Sequence, residues 1–422
     1  MNKEYKKLMP KFRFKEFSGE WEVKILDDCV QVMQSGLSRL LNDSDVGIPV
    51  IRSNNLVEEN LDVSELKYWY EIDNQGANIE NYFLNEGDLL VNFINSQAQI
   101  GKVALYKNLL KRNVIFTTNL LRLTFNHFVN HQFIFYFFQT KEYVKYIQEI
   151  AKPAVNQSSF TTKEFKRLVV TLPKLEEQTK IAACLSSLDD LITAQTQKIA
   201  ALKTHKKGLM QQLFPQEGET VPKLRFSEFR DSGEWEEKKL RQLGELVSGL
   251  TYSPDDVRDN GLLVLRSSNV QNGEIRLEDN VYVNPDIKGA NLSKPNDILI
   301  CVRNGSKALI GKNALIPEGM PLSTHGAFMT VFRTPSAKFV FQLFQTSTYQ
   351  SQVDGDLGAT INSINGSNFI KYKFYVPSPA EQQKIAACLS SLDELINAQT
   401  KKLNALKLHK KGLMQGLFPL NE

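Results

Sequence analysis

Several residue groups in this chain have the types needed for chemistry at phosphates, metal ions or nucleic-acid bases. Asp255, in the string SPDD, and Asp286-Ile287-Lys288 carry the carboxylates and lysine of a metal-dependent nuclease, where paired acids would hold a divalent cation. Such short strings are common by chance, and the first half of the chain has no equivalent. Gly305 to Gly311-Lys312 approaches a phosphate-cradling loop, but five residues separate the glycines instead of four. Asn313 also stands where that loop needs a metal-binding hydroxyl. His127 and His131 are spaced as a zinc pair but lack the adjoining glutamate, so they read as structural. The sequence contains no Pro-Pro dipeptide, which excludes the motif of an amine-directed DNA methyltransferase.

Basic residues interleaved with amides and hydroxyls form the other group. Lysine and arginine neutralise phosphates, while amides and hydroxyls suit base edges. In the first half the candidates for DNA contact are Lys102, Lys111, Arg112, Thr117, Asn119, Asn156, Gln157, Ser158, Lys163, Lys166 and Arg167. In the second half they are Arg303, Asn304, Ser306, Lys307, Lys312, Asn362, Ser363, Asn365, Ser367 and Lys371. Charge supports this placement. Residues 21–100 hold 4 Lys/Arg against 14 Asp/Glu, whereas 101–172 hold 11 against 3. The second half repeats the trend, 9 against 11 over 235–304 and 6 against 3 over 305–376.

The elements that must position these groups come from an internal duplication. Residues 173–215 return as 377–419, with 32 of 43 aligned positions identical. Within each copy the apolar residues recur at alternating steps of four and three. The first seam is Ile181, Leu185, Leu188, Ile192, Gln195, Ile199 and Leu202; the second is Ile385, Leu389, Leu392, Ile396, Gln399, Leu403 and Leu406. A heptad seam predicts a coiled coil, and the polar positions Gln195, Lys206, Gln399 and Lys410 would fix its register. Two such helices in one chain most simply pair with each other, antiparallel. Ser378-Pro379-Ala380-Glu381 predicts a capping box at the second helix. Lys203, His205, Lys206 and Lys207, with Lys407, His409, Lys410 and Lys411, predict a cationic last turn.

The duplication extends upstream. PKFRFKEFSGEWEVKIL from Pro10 echoes PKLRFSEFRDSGEWEEKKL from Pro222, and IPVIRSNNL from Ile48 echoes LLVLRSSNV from Leu262. Strands are predicted at 49–51, 88–92, 114–116, 262–265, 297–301 and 328–332, with single helices at about 130–149 and 338–352. A chain of 422 residues can hold two or three domains. Its hydrophobic content of 42%, with no long apolar run and no signal-peptide core, points to a cytoplasmic globular protein. Cys29, Cys184, Cys301 and Cys388 read as reduced thiols.

The arms, the paired Pro–Glu-Gln helix starts (TLPKLEEQTKIAACLSSLDDLI and PSPAEQQKIAACLSSLDELI) and the dissimilar inserts closely resemble the specificity subunit of Type I restriction–modification systems. The resemblance covers essentially the whole chain. It implies an α+β fold, a tandem duplication of two mixed α/β target-recognition domains, each followed by a long helix, the helices pairing as an antiparallel coiled coil. The implied boundaries are an arm at 1–20, recognition domains at 21–172 and 235–376, helices at 173–215 and 377–422, and a linker with the second arm at 216–234. It also implies a non-catalytic chain that binds a bipartite, asymmetric double-stranded DNA target, with no cofactor or metal of its own. Two modification subunits with S-adenosylmethionine would methylate adenine, and restriction subunits would use ATP and Mg. Two other readings remain open on the residues alone. One is a metal-dependent nuclease through Asp255, Asp286 and Lys288; the other is a coiled-coil scaffold.

Overall fold

The computed structural model describes residues 9–154, 157–357 and 362–419. They divide into two units, Met1–Gln195 with Lys402–Glu422, and Thr196–Lys401. Each unit follows the same plan. In the first, an antiparallel four-stranded sheet has the order Val30–Ser35, Leu120–Phe125, Leu89–Asn92, Val103–Leu105. In the second, the order Glu245–Ser248, Met329–Arg333, Ile298–Cys301, Asn313–Leu315 reproduces it. The central strands Leu89–Asn92 and Ile298–Cys301 are buried along their whole length, which explains their continuous apolar character. Strands Ile48–Ile51 and Leu262–Leu265 centre a second small sheet in each unit, each flanked on one side by a parallel strand. The strands lie where the sequence places them, within a residue or so at each end.

The helices expected at 130–149 and 338–352 are each two helices. His131–Phe137 is followed by Lys141–Ile150, and Ala337–Leu343 by Ser347–Asp356. A threonine makes each break. Thr140 Oγ1 accepts from Tyr143 N at 3.4 Å and Thr346 Oγ1 from Tyr349 N at 3.3 Å, so each restarts the helix as an N-cap. The break turns the tyrosine into the core, where Tyr143 donates to Gly101 O (2.7 Å) and Tyr349 to Gly311 O (2.9 Å). Gly101 and Gly311 have φ of +80° and +81°. A Cβ on Gly101 would press on Ile147, so the Gly-Lys pair shared by the two halves is a packing requirement.

Two 39-residue helices, Leu175–Leu213 and Pro379–Leu417, follow the inserts. All the seam residues are buried or half-buried, whereas the neighbouring Leu191, Leu395 and Leu408 are exposed. Both helices contribute to each unit's core. The first core gathers Ile181, Leu185 and Leu417 with Phe418, whose ring lies 5.1 Å from that of Phe133. The second gathers Leu213, Phe214, Ile385 and Leu389 with Trp235 and Phe339. The seam lysines are neutralised. In the first unit Lys410 Nζ lies 2.6 Å from Asp189, which also accepts from Tyr136 OH (2.7 Å). In the second Lys206 Nζ lies 2.6 Å from Asp393, which accepts from Gln342 Nε2 (2.9 Å).

Two expectations about the helix ends are corrected. The helices continue to Leu213 and Leu417, so the basic runs sit before the last turn, which contains no basic residue. At the second helix Ser378 Oγ does accept from Glu381 N (3.4 Å), but the Glu381 side chain does not complete the capping box. It receives Arg225 through two hydrogen bonds of 2.7 Å, and Glu177 receives Arg13 through two of 2.8 Å. These arm arginines tie each extended arm to the start of a long helix. All four cysteines are free thiols.

The Arg225–Glu381 pair is almost fully buried, with side-chain exposures of 9% and 1%. Arg225→Ala is expected to destabilise the protein by about 3 kcal/mol, because it strands a buried carboxylate. Replacing both residues with apolar ones (Arg225→Met with Glu381→Leu) should cost less than the single change. Urea unfolding of the three proteins checks this; a double replacement as costly as the single one would contradict it.

Candidate nucleic-acid interface

In the second unit the loop after the central strand is drawn to two other segments. Val302 N and Arg303 N both donate to Phe328 O, at 3.0 and 3.1 Å. Arg303 also pairs with Ser363 as an isolated antiparallel bridge. Asn304 Nδ2 donates to Ser267 Oγ (3.0 Å), its Oδ1 accepts from Ser306 N (3.0 Å), and Asn362 Nδ2 donates to Gly305 O (3.1 Å). The structure therefore gathers Arg303, Asn304, Ser306, Asn362 and Ser363 into one polar cluster. Ser267 and Phe328 join it unforeseen. Asn365 caps the short helix Gly366–Phe369, accepting from Ser367 N and Ser367 Oγ at 2.9 and 2.8 Å. Lys307, Lys312 and Lys371 are exposed, and among the described residues no hydrogen bond ties their side chains to the cluster.

The first unit places its candidates on the same plan. Phe93 N donates to Asn119 O (3.2 Å), and Asn95 and Ile94 pair with Ser158 and Ser159. Asn119, Gln157 and Ser158 thus meet around Ile94–Asn95, with Ser158 buried and Gln157 exposed. Asn95, missed from the sequence, turns the loop by accepting from Ser96 N at 2.7 Å. Thr117 N donates to Ile51 O (2.9 Å), and half-buried Lys102 gives its carbonyl to Asn92 N (2.8 Å). Arg112 is held by Asp45 (2.8 Å) and by Gly47 O, and Lys166 by Asp27 (2.8 Å). Lys111 occupies a left-handed turn (φ +52°) and is exposed, as are Lys163 and Arg167. Next to Lys163, hydrogen bonds from Lys152 and Thr161 hold the Glu164 carboxyl down at about 2, so it remains charged at neutral pH. Asn156 lies outside the described residues.

Other chemistry finds little support here. Asp255 lies in a one-turn segment capped by Ser253, and Asp286 N donates to Asn284 Oδ1 (3.0 Å) in a tight turn. Among the described residues no three or more His, Cys, Asp or Glu side chains are grouped as metal ligands. Among the same residues no helix is long and apolar enough to cross a membrane.

The long helices carry a further surface signal. Ser187, Leu191, Ala194, Lys198, Ala201 and His205 are all exposed and step by four and three; all six recur unchanged as Ser391, Leu395, Ala398, Lys402, Ala405 and His409. The adjoining stripe has drifted, with Asp190, Thr193, Gln197, Ala200 and Thr204 replaced by Glu394, Asn397, Lys401, Asn404 and Leu408. Packing within the chain does not demand identity at exposed positions, and Leu191 and Leu395 remain 54% and 39% exposed.

The family model described as the type I restriction modification DNA specificity domain matches twice, over residues 18–204 and 232–408. The type I restriction enzyme MjaX specificity subunit of Methanocaldococcus jannaschii is 29% identical over 415 residues, covering 96% of this chain and 94% of its own. In fold, the chain is similar to the crystal structure of a type I restriction–modification S subunit from M. genitalium. That match has a TM-score of 0.66 at 15% identity, covering 98% of this chain and all of the other. It is also similar to a chain from a study of complex assembly in the type I system, with a TM-score of 0.52 at 16% identity over 95% and 98% of the two chains.

Arg112 and Lys166 are engaged in ion pairs, so Lys163 and Arg167 are the freer cations of the basic stretch. Lys163→Ala with Arg167→Ala is expected to weaken duplex binding. The slope of log affinity against log salt should flatten by about 0.9 for each lost phosphate contact. Titration at several salt concentrations measures this, and an unchanged slope would place the phosphate surface elsewhere.

Proposed function

Because the chain belongs to the type I restriction–modification DNA-specificity family, we propose that each unit reads one half of a bipartite, asymmetric duplex target and that the long helices hold the halves apart. The chain is a specificity subunit, non-catalytic in itself. The observation that carries the proposal is the contrast within the duplication: nearly identical helices bear inserts that share a plan but differ in their polar loops. In this reading the recognition domains are 21–172 and 235–376, and the candidate residues of the two loop clusters face DNA.

The helices pair as an antiparallel coiled coil through the two seams. In support, the end of the second helix reaches the start of the first at Lys410–Asp189, and the end of the first reaches the start of the second at Lys206–Asp393. The exposed stripe centred on Leu191, with its copy at Leu395, offers the same surface twice. Two copies of one modification subunit, carrying S-adenosylmethionine, dock there and methylate adenine in the bound target. Restriction subunits supplied with ATP and Mg complete the assembly, and all of this takes place in the cytoplasm.

Sequencing of methylated adenine in strains with and without this chain tests the proposal. A split motif should be methylated only when the chain is present, and methylation that does not depend on the chain would contradict it. Leu191→Glu with Leu395→Glu should abolish that methylation while leaving the chain folded, because it charges the docking stripe without touching the seam. Full methylation in the double variant would remove the stripe as the docking surface.

A further inference from the structure

The two units can be superposed residue by residue at the loop cluster through their backbone hydrogen bonds. Val302 N and Arg303 N donate to Phe328 O, while Phe93 N donates to Asn119 O. Arg303 pairs with Ser363, while Ile94 pairs with Ser159. Arg303 and Phe328 therefore occupy the positions that Ile94 and Asn119 occupy in the first unit. Backbone geometry is shared, and the side chains have nothing in common.

In the second unit this place has an unusual makeup. Phe328 is 59% exposed at the entrance to a strand. The Arg303 guanidinium lies 5.7 Å from the centre of its ring. Several arginines of the second unit are committed to carboxylates: Arg225 to Glu381, Arg266 to Asp279, Arg276 to Glu274 and Arg333 to Asp297. Arg303 rests on an aromatic face instead, on a loop anchored by Asn304 to Ser267 and by Asn362 to Gly305. A phosphate contact needs only a positive charge, which a flexible lysine supplies as well. An exposed phenylalanine adds nothing to such a contact and costs solubility. A guanidinium held over an aromatic face, by contrast, is localised while its forked donors stay available. Such a group suits bidentate recognition of guanine O6 and N7 in the major groove.

We propose that Arg303, oriented by Phe328, reads a guanine in the half-target of the second unit. The equivalent place in the first unit, with Asn119 and Ile94, reads a different base, so this one position contributes to the asymmetry of the target. The inference rests on the DNA-recognition function proposed above and adds the residues and the base.

Methylated-adenine sequencing in a strain whose only copy carries the variant tests this. Arg303→Ala should relax the preference for guanine at one position of one half-target, by about tenfold or more. The other half-target should be unchanged, serving as the internal control for folding and assembly. Arg303→Lys keeps the charge but loses the planar fork, so it should relax the guanine preference less than Arg303→Ala does. Phe328→Ala should relax the same position. If Arg303→Ala abolishes methylation, binding of the full chain to the target duplex and to its base-substituted versions reads the same preference directly. A wild-type strain with no split methylated motif would refute the function itself. A wild-type motif that persists unchanged in Arg303→Ala would overturn this inference alone.

Discussion

Leu185 and Leu389 are completely buried, and around them the start of one long helix and the end of the other complete a hydrophobic core. Each unit depends on this sharing, since Leu417 and Phe418 close the first core while Leu213 and Phe214 close the second. The ends of the long helices are thus part of the folding of each unit. The apolar helix ends pack against insert side chains such as Phe133 and Phe339, Tyr136 and Gln342 bond to the helix carboxylates, and the arm arginines Arg13 and Arg225 lock the arms to the helix starts. Apolar burial supplies most of the stability and the ion pairs supply position, because a buried pair of charges contributes little net stability.

This division explains why the two halves can diverge in their loops without losing their plan. The central strands, the threonine-capped helix breaks and the tyrosine bonds to Gly101 and Gly311 recur in both units. Asn55 and Asn269 recur as well, each buried and bonded to three backbone groups, so the shared asparagine builds a turn. What differs lies at loop tips held by this framework, including Ile94 against Arg303 and Asn119 against Phe328. Rigid support beneath variable tips is what sequence readout requires, since a base contact tolerates little positional error.

Much of this was legible in the sequence because duplication substitutes for comparison. The seam period, the strand runs and the amide-rich loops could all be read from one half against the other. The split helices were not, because Thr140 and Thr346 sit within otherwise continuous helical patterns and only their side-chain bonds reveal a restart. Glu381 reads from the sequence as the closing residue of a capping box; its partner and that of Glu177 are 156 and 164 residues away and invisible to local reasoning. Phe328 falls within the run that the sequence predicts as a strand at 328–332, and a lone aromatic among small residues gives no sign of its exposure. Arg112 and Lys166 carried the right charge, but sequence alone could not show that Asp45 and Asp27 hold them.

In the proposed function the long helices set the spacing of two independent readers along DNA. A 39-residue helix spans about 58 Å at ~1.5 Å per residue, enough to separate two domains by about one turn of DNA, ~34–36 Å. Inserting one heptad after Gln195 and another after Gln399 preserves the seam and adds about 10 Å, roughly three base pairs. Methylated-adenine sequencing should then show a motif whose two half-sequences are unchanged and whose gap is longer by about three base pairs. An active complex that keeps the original gap, or a change in either half-sequence, would contradict the account.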